Sequence, residues 1–524
     1  MRFFSFFLQR TLLVWSFVLL TILSLSTLIF RVIMPMDGSE FSLIELNSLS
    51  FFLLLFLAFF LLLGILAISE KIKGRYLFII GTLFYLLCGL YLIFHQNGVL
   101  RHDALAVLEG AKQLNRGDNS SLTEVGAYFY KYPHQLGLAS FERVILAFFG
   151  QNNVTIFFVI NLVMAISDNF LIWKLSDKIW QQEGISKLVI LLSFAFLPHL
   201  FFILFVYGLT YGLFFSSLGL YFLQNFLQKR SWLNFLPSFV CLIFAIIIRN
   251  NYLILILSVF VMLLLDTLSH HSIKSFLAGV IFLLGMILAN RLVIASYEQV
   301  SHHSLKGEPK IAWIAMGLNN QAKVYHRRSG WYDAYVENVY NHYQGNSKEI
   351  EQESRNLIKK RLREMIKNPQ QAFQFFKEKV VSTWADSLFQ SIWSGPVNKM
   401  PVEGQDISGK WMSSIYEGRE LFRLIYRYSA ILLSLIYLGP IIFILSYWQG
   451  LRQQKEVLLS LLPLVFLSGG FIFHLIWETK SQYVYPFVYL LIPLSAYGLY
   501  QLYAGITLQF RQRGKRNLDD KIFK

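Results

Sequence analysis

The apolar residues of this chain fall into runs of about twenty, and that pattern restricts the fold more than any motif does. Bilayer hydrocarbon is about 30 Å thick and a helix rises about 1.5 Å per residue, so one such run crosses it once. Lipid offers no hydrogen bonds, so each run must satisfy its own backbone as a helix. Only 15% of the 524 residues are charged, well below a soluble domain, while 55% are hydrophobic. The expectation is an all-α polytopic membrane protein with twelve transmembrane helices, at roughly 11–34, 49–69, 76–95, 153–173, 187–206, 211–228, 232–249, 252–267, 275–292, 426–447, 457–476 and 483–507.

The connecting segments orient these helices. Between Pro35 and Ser48 stand Asp37, Glu40 and Glu45 with no lysine or arginine, which places that segment outside. Alternation then puts Lys71, Lys73 and Arg75 inside, with Lys174 and Lys178, Lys229 and Arg230, Lys274, Arg452 and Lys455, and the tail residues Arg511, Arg513, Lys515 and Arg516. Both termini are expected in the cytoplasm of a multi-pass cell-membrane protein. The net charge of +16 is concentrated beside apolar runs, so it predicts contact with anionic lipid headgroups and no nucleic-acid partner. Arg2 and Arg10 precede an apolar run from Thr11 to Phe30 that is too long for a signal peptide, so it reads as a retained first helix. Cys88 and Cys241 lie inside apolar runs and read as small core residues.

The resulting organisation is 1–95 for helices one to three, 96–152 for a first large outer loop, 153–292 for helices four to nine, 293–425 for a second outer loop, 426–507 for the last three helices, and a basic tail at 508–524. Structureless loops this long are uncommon unless they carry function. The second loop has helical periodicity, with Ile350, Leu357, Leu362 and Ile366 among charges, a break at Asn368-Pro369, and Phe373, Phe376 and Val380 beyond it. Such helices either lie in the membrane interface or cover the loop's own core.

The residues able to do chemistry gather on the outer side. Asp103, in Arg101-His102-Asp103, is placed to act as a general base or a metal ligand, or to cap a helix. Tyr128-Phe129-Tyr130-Lys131-Tyr132-Pro133-His134-Gln135 suits an interfacial aromatic belt or a sugar-stacking surface. Arg249, with Asn250, ends the seventh run and either binds phosphate or snorkels to headgroups. His474 to Tyr483 packs Glu478, Lys480 and Gln482 into a turn between two spans. Asp168-Asn169, inside the fourth run, is the one feature that favours a transporter. The pairs His270-His271 and His302-His303 lack nearby acidic ligands, so no metal site is assigned.

Together these features resemble the GT-C superfamily of polytopic glycosyltransferases, in particular bacterial members that use polyprenyl-phosphate sugars and the protein-mannosyltransferase-like type. The resemblance rests on Asp103, on Tyr132-Pro133-His134-Gln135, on Trp313-Ile314-Ala315-Met316-Gly317-Leu318 with Gly330-Trp331-Tyr332, on Asn368-Pro369 with Lys379 and Trp384, and on Glu478-Thr479-Lys480-Ser481-Gln482-Tyr483. It departs from the family in placing the acidic loop after the third helix, and in having Gln482 where many relatives carry an arginine. The resemblance implies inverting transfer of a sugar from a polyprenyl-phosphate donor to an extracytoplasmic glycan, lipid or protein, with Asp103 as base. Arg249, Lys480, Arg101 and His102 would then hold the donor phosphate. Tyr132, His134, Gln135, Asn250, Glu478, Gln482, Tyr483 and Trp313 would contact substrate. No cofactor is assigned, and a divalent cation is left open. The competing expectations are a flippase, transporter or polymerase of lipid-linked saccharides, and a non-enzymatic scaffold of cell-wall assembly.

Overall fold

The computed structural model describes residues 2–36, 40–96, 99–320, 327–396, 407–450 and 458–522. Asp37, Arg452 and Lys455, used above to orient the chain, lie outside the described residues, as do the side chains of the basic tail. The described chain is an all-α polytopic bundle with one small hairpin. Eight helices are long and apolar enough to cross a membrane: Ser5–Ile29, Leu49–Ser69, Gly74–His95, Thr155–Trp180, Asn250–His270, Ile273–Ser301, Glu420–Trp448 and Leu458–Ile476.

Two further spans are broken. Glu183–Ala195 and Leu197–Leu204 meet at 52°, and Ser481–Tyr489 and Ile492–Gln509 meet at 54°. Proline explains the first break: Pro198 cannot donate a backbone hydrogen bond and disfavours helical geometry at the residue before it. Pro493 stands just past the second break in the same way. The carbonyls freed at the first break are met by tyrosines, with Tyr428 Oη donating to Ala195 O at 3.1 Å and Tyr85 Oη to Ser193 O at 3.4 Å.

Counting each broken pair as one span gives ten, short of the twelve expected. The remaining two expected positions are helical, at Leu209–Lys229 and Trp232–Ile248. The second has 17 residues, about 25 Å of helix, and the first is interrupted by Ser216, Ser217, Gln224 and Asn225. They pack closely on each other, with Ser238 Oγ donating to Gly219 O at 2.8 Å.

The first helix stops at Ile29 rather than running on to residue 34. Asn47 Nδ2 donates to the carbonyls of Thr27 and Leu28 at 2.8 and 2.9 Å, which satisfies the helix end. The chain then forms an antiparallel hairpin of Phe30–Ile33 with Leu43–Leu46. Arg31 faces Glu45 across it, 2.5 Å apart.

The two large loops fold onto one end of the bundle, here termed the loop face. In the second loop, Ser347–Lys367 buries Ile350 but leaves Leu362 and Ile366 exposed, and the following helix Pro369–Trp384 buries Phe375 while exposing Phe373. Beyond Trp384 the chain enters the protein interior as irregular backbone. Asp386 organises this stretch by accepting from Leu388 N at 3.1 Å, Gln390 N at 3.0 Å and Ser481 Oγ at 2.6 Å. Phe389 and Gln390 adopt left-handed backbone there, a conformation held only where the surroundings impose it.

Candidate active site on the loop face

Asp103 lies in the first turn of His102–Asn115. That helix turns Ala104, Val107, Leu108, Ala111 and Leu114 inward, and the spacing leaves Asp103 exposed on its other side. The helix cap is Arg101, with no side-chain capping bond, so Asp103 is not an N-cap. No hydrogen bond to its carboxylate is found among the described residues. His102, immediately before it, has φ of 44°, an uncommon backbone state for a residue with a Cβ. The charge of Asp103 acts on Tyr128, Tyr132, Tyr207, Tyr332, Glu478, Lys480 and Tyr483, which come from four separate stretches of chain.

Lys480 is partly buried, with its Nζ 2.6 Å from Glu40 Oε1. Burial opposes its charge, but Glu40, Glu478 and Asp103 together hold it above the usual lysine range. Glu40 also takes Arg327 Nη1 at 2.6 Å on Oε2 and at 2.7 Å on its backbone oxygen. Glu40 thereby fastens the first short connection to the second large loop and to the final turn. Sequence reasoning used this residue only for sidedness; the signal available was an acidic side chain in a segment that contains no base.

Glu478 is buried, and its Oε1 has no hydrogen-bond partner among the described residues. Burial pushes its carboxyl up to about 7, with Lys480 and Lys379 opposing and Glu40 and Asp103 adding to the shift. Lys379 explains why several short motifs occur together. Its Nζ donates to Gly317 O at 2.6 Å and to Trp477 O at 2.8 Å, and burial lowers it to about 7. A Cβ on Gly317 would sit 2.3 Å from the Trp477 carbonyl carbon, and one on Gly330 would sit 2.4 Å from Lys379 Cε. Thr479 N donates to Gly330 O at 2.9 Å. The motif glycines therefore permit a close clamp around the turn that carries Glu478 and Lys480.

Arg249 is buried rather than extended towards headgroups. Its Nη1 donates to Tyr207 O at 2.7 Å, and its guanidinium lies 4.4 Å from the Tyr207 ring and 5.8 Å from that of Tyr483. Gln135 Nε2 donates to the Tyr207 hydroxyl at 2.6 Å. Tyr132 packs edge-on to Trp313 at 6.1 Å and to His134 at 6.2 Å. His134 keeps an exposed side chain, and the surrounding protein with Arg249 and Lys310 nearby lowers it, so it is neutral at pH 7.

Four expected site residues are occupied elsewhere. Gln482 accepts from Ser394 Oγ at 2.9 Å, which ties it to the buried irregular stretch. Asn250 accepts from Asn290 Nδ2 at 2.5 Å and joins two helices. Arg101 lies over Trp393 at 4.9 Å, and His102 stacks on the same ring at 6.1 Å. These two form a second edge of the site, apart from Arg249.

Glu308, absent from the expectations, is a further loop-face carboxyl. Burial raises it to about 8, and neither of its oxygens has a hydrogen-bond partner among the described residues. Also among the described residues, no group of three His, Cys, Asp or Glu side chains is arranged to share a metal ion. Comparison of the chain with protein-family models, curated proteins and solved structures gives no match.

Proposed function

We propose that the chain is an integral membrane glycosyltransferase of GT-C type, which moves a sugar from a polyprenyl-phosphate donor to an extracytoplasmic acceptor. The observation that carries this reading is Asp103: an exposed carboxylate that accepts no hydrogen bond among the described residues and whose charge reaches Lys480, Glu478 and five tyrosines. A general base must be free to accept a proton, and a phosphate leaving group needs cations rather than an acid. In this reading Asp103 takes the proton of the acceptor hydroxyl as its oxygen bonds to the anomeric carbon. The bond from that carbon to the phosphate oxygen breaks, and its electron pair leaves with polyprenyl phosphate. Arg249 and Lys480 hold the departing charge, and attack opposite the leaving group inverts the centre. The loop face is then extracytoplasmic, both termini are cytoplasmic, and Leu209–Lys229 and Trp232–Ile248 complete twelve spans.

The test uses membranes containing the full chain and a polyprenyl-phosphate sugar. The wild type releases polyprenyl phosphate, and Asp103→Asn, present at the same level, does not. Retained release in that variant removes the assignment. A second reading, a transporter or flippase of lipid-linked saccharides, is favoured by the two broken spans; it predicts movement of the lipid-linked sugar between leaflets without release of polyprenyl phosphate.

A further inference from the structure

The transfer reading makes no use of the bundle interior, where a second aspartate stands in a different setting. Asp168 lies inside the helix Thr155–Trp180, thirteen residues from its start and twelve from its end, and five residues before the apolar part gives way to Lys174, Asp177 and Lys178. Its side chain is fully buried, and neither carboxylate oxygen has a hydrogen-bond partner among the described residues. The Ser217 hydroxyl lies beside it, outside hydrogen-bonding geometry and likewise without a partner.

Buried serines in apolar helices ordinarily turn back on the carbonyl four residues earlier. Ser176, in the same helix as Asp168, does so at 2.7 Å, and Ser258 and Ser468 do so at 2.8 and 2.7 Å. Ser217 and its neighbour Ser216 do not, as is also true of Ser16, Ser24 and Ser429 in other helices; Ser217 differs from those three in standing beside a buried carboxyl.

Both broken spans converge on this place. The first contributes His199, just beyond its break, and the second contributes Tyr485 and Tyr489, just before its own. The field of Asp168 acts on Tyr485, Tyr489 and Tyr252. Tyr489 Oη donates to Asn169 Oδ1 at 2.8 Å. His199 Nε2 is 3.0 Å from Ala165 O, a pure acceptor, and Nδ1 meets the Tyr485 hydroxyl. A neutral ring satisfies both bonds, so His199 is not required as a counter-ion. Among the described residues no lysine or arginine pairs with Asp168. A carboxyl buried this way is tolerated either with a proton on it or with a positive charge beside it.

We propose that Asp168 and Ser217, where the two broken spans meet, form a binding site for a monovalent cation of sodium type. One negative charge balances one positive charge, and hydroxyl oxygens replace part of the hydration shell. Interrupted helices at mid-membrane are the usual setting for such sites. The proposal is independent of the transfer reading.

The test is sodium-dependent stability of the purified full chain in nanodiscs. Thermal unfolding is followed at fixed pH and ionic strength while NaCl replaces choline chloride. The expected result is a saturable rise in Tm with sodium. Asp168→Asn abolishes that rise, and Ser217→Ala moves its midpoint to higher sodium. If Asp168→Asn does not fold, Ser217→Ala carries the test. A wild type indifferent to sodium overturns the proposal, including one whose stability follows pH alone, since that result identifies the occupant as a proton. So does a sodium response left unchanged in Ser217→Ala.

Discussion

Asp103 and Asp168 are the same residue type, and neither accepts a hydrogen bond among the described residues, yet their positions give them opposite needs. Asp103 is exposed, so water stabilises its charge and leaves its lone pairs free for a substrate proton. Asp168 is enclosed by apolar helices, where a bare charge is costly and either a proton or an added cation removes that cost. The surroundings follow the same division. Around Asp103, charges from distant parts of the chain neutralise one another, as in Glu40 with Lys480 and Arg327. Around Asp168 the neighbours are hydroxyls, an amide and a ring that needs no charge. An unpaired carboxylate marks reactivity at a wet surface and a missing partner in a dry interior.

The sharpest way to break this contrast is Asp103→Asn. It should lower transfer by about 10²–10⁴-fold, the range for loss of a general base, while leaving the thermal unfolding curve in place. The readout is polyprenyl phosphate released per mole of folded protein. A loss of folding instead would make Asp103 as structural as a buried acid.

Next in size is Lys379→Met, which keeps the length of the side chain but leaves the Gly317 and Trp477 carbonyls without their donor. Two unsatisfied buried carbonyls cost on the order of 2–5 kcal/mol. Thermal unfolding should show that loss, and proteolysis should open the second loop before the spans. Gly317→Ala should reproduce it, because the added Cβ has no room beside Trp477.

Glu478 gives a pH signature. Its folded carboxyl titrates at about 7 against an ordinary value of 4.5. Between those values the folded state holds a proton that the unfolded state has lost, so this group's contribution to stability is full below about 4.5 and falls as pH rises to about 7. The shift corresponds to roughly 3 kcal/mol. Glu478→Gln should remove that part of the slope, as measured by denaturation across this window. A variant with the wild-type slope would show that Glu478 is as solvated as Asp103.

The smallest expected effect is the coupling of Glu40 to Lys480. A double-mutant cycle with Glu40→Gln and Lys480→Met should give about 1–3 kcal/mol, more than an exposed pair delivers. A value near zero would return this ion pair to the ordinary surface class.

The sequence announced what depends on composition and left hidden what depends on distance along the chain. Apolar runs located the spans because lipid imposes length and helicity locally, although residues 209–229 and 232–248 show that a helix at the expected place need not be long or apolar enough to cross. Asp103, Lys480, Glu478 and Arg249 were visible because each is a costly residue beside an apolar run. Glu40 and Asp386 were not, since their importance lies in partners far away in sequence: Lys480 and Arg327 for one, Ser481 for the other. The helix breaks were legible in principle from Pro198 and Pro493. Their convergence on Asp168 was not, because no local pattern states which helices adjoin.

The bond between Glu40 and Lys480 also has a consequence for how the protein is made. Glu40 is synthesised well before Lys480, so throughout the intervening stretch the acid is present and its lysine is not. The loop-face site therefore closes only when the final helices have been inserted. A chain truncated before residue 480 would keep most of its spans and lack the cation that draws both ends together.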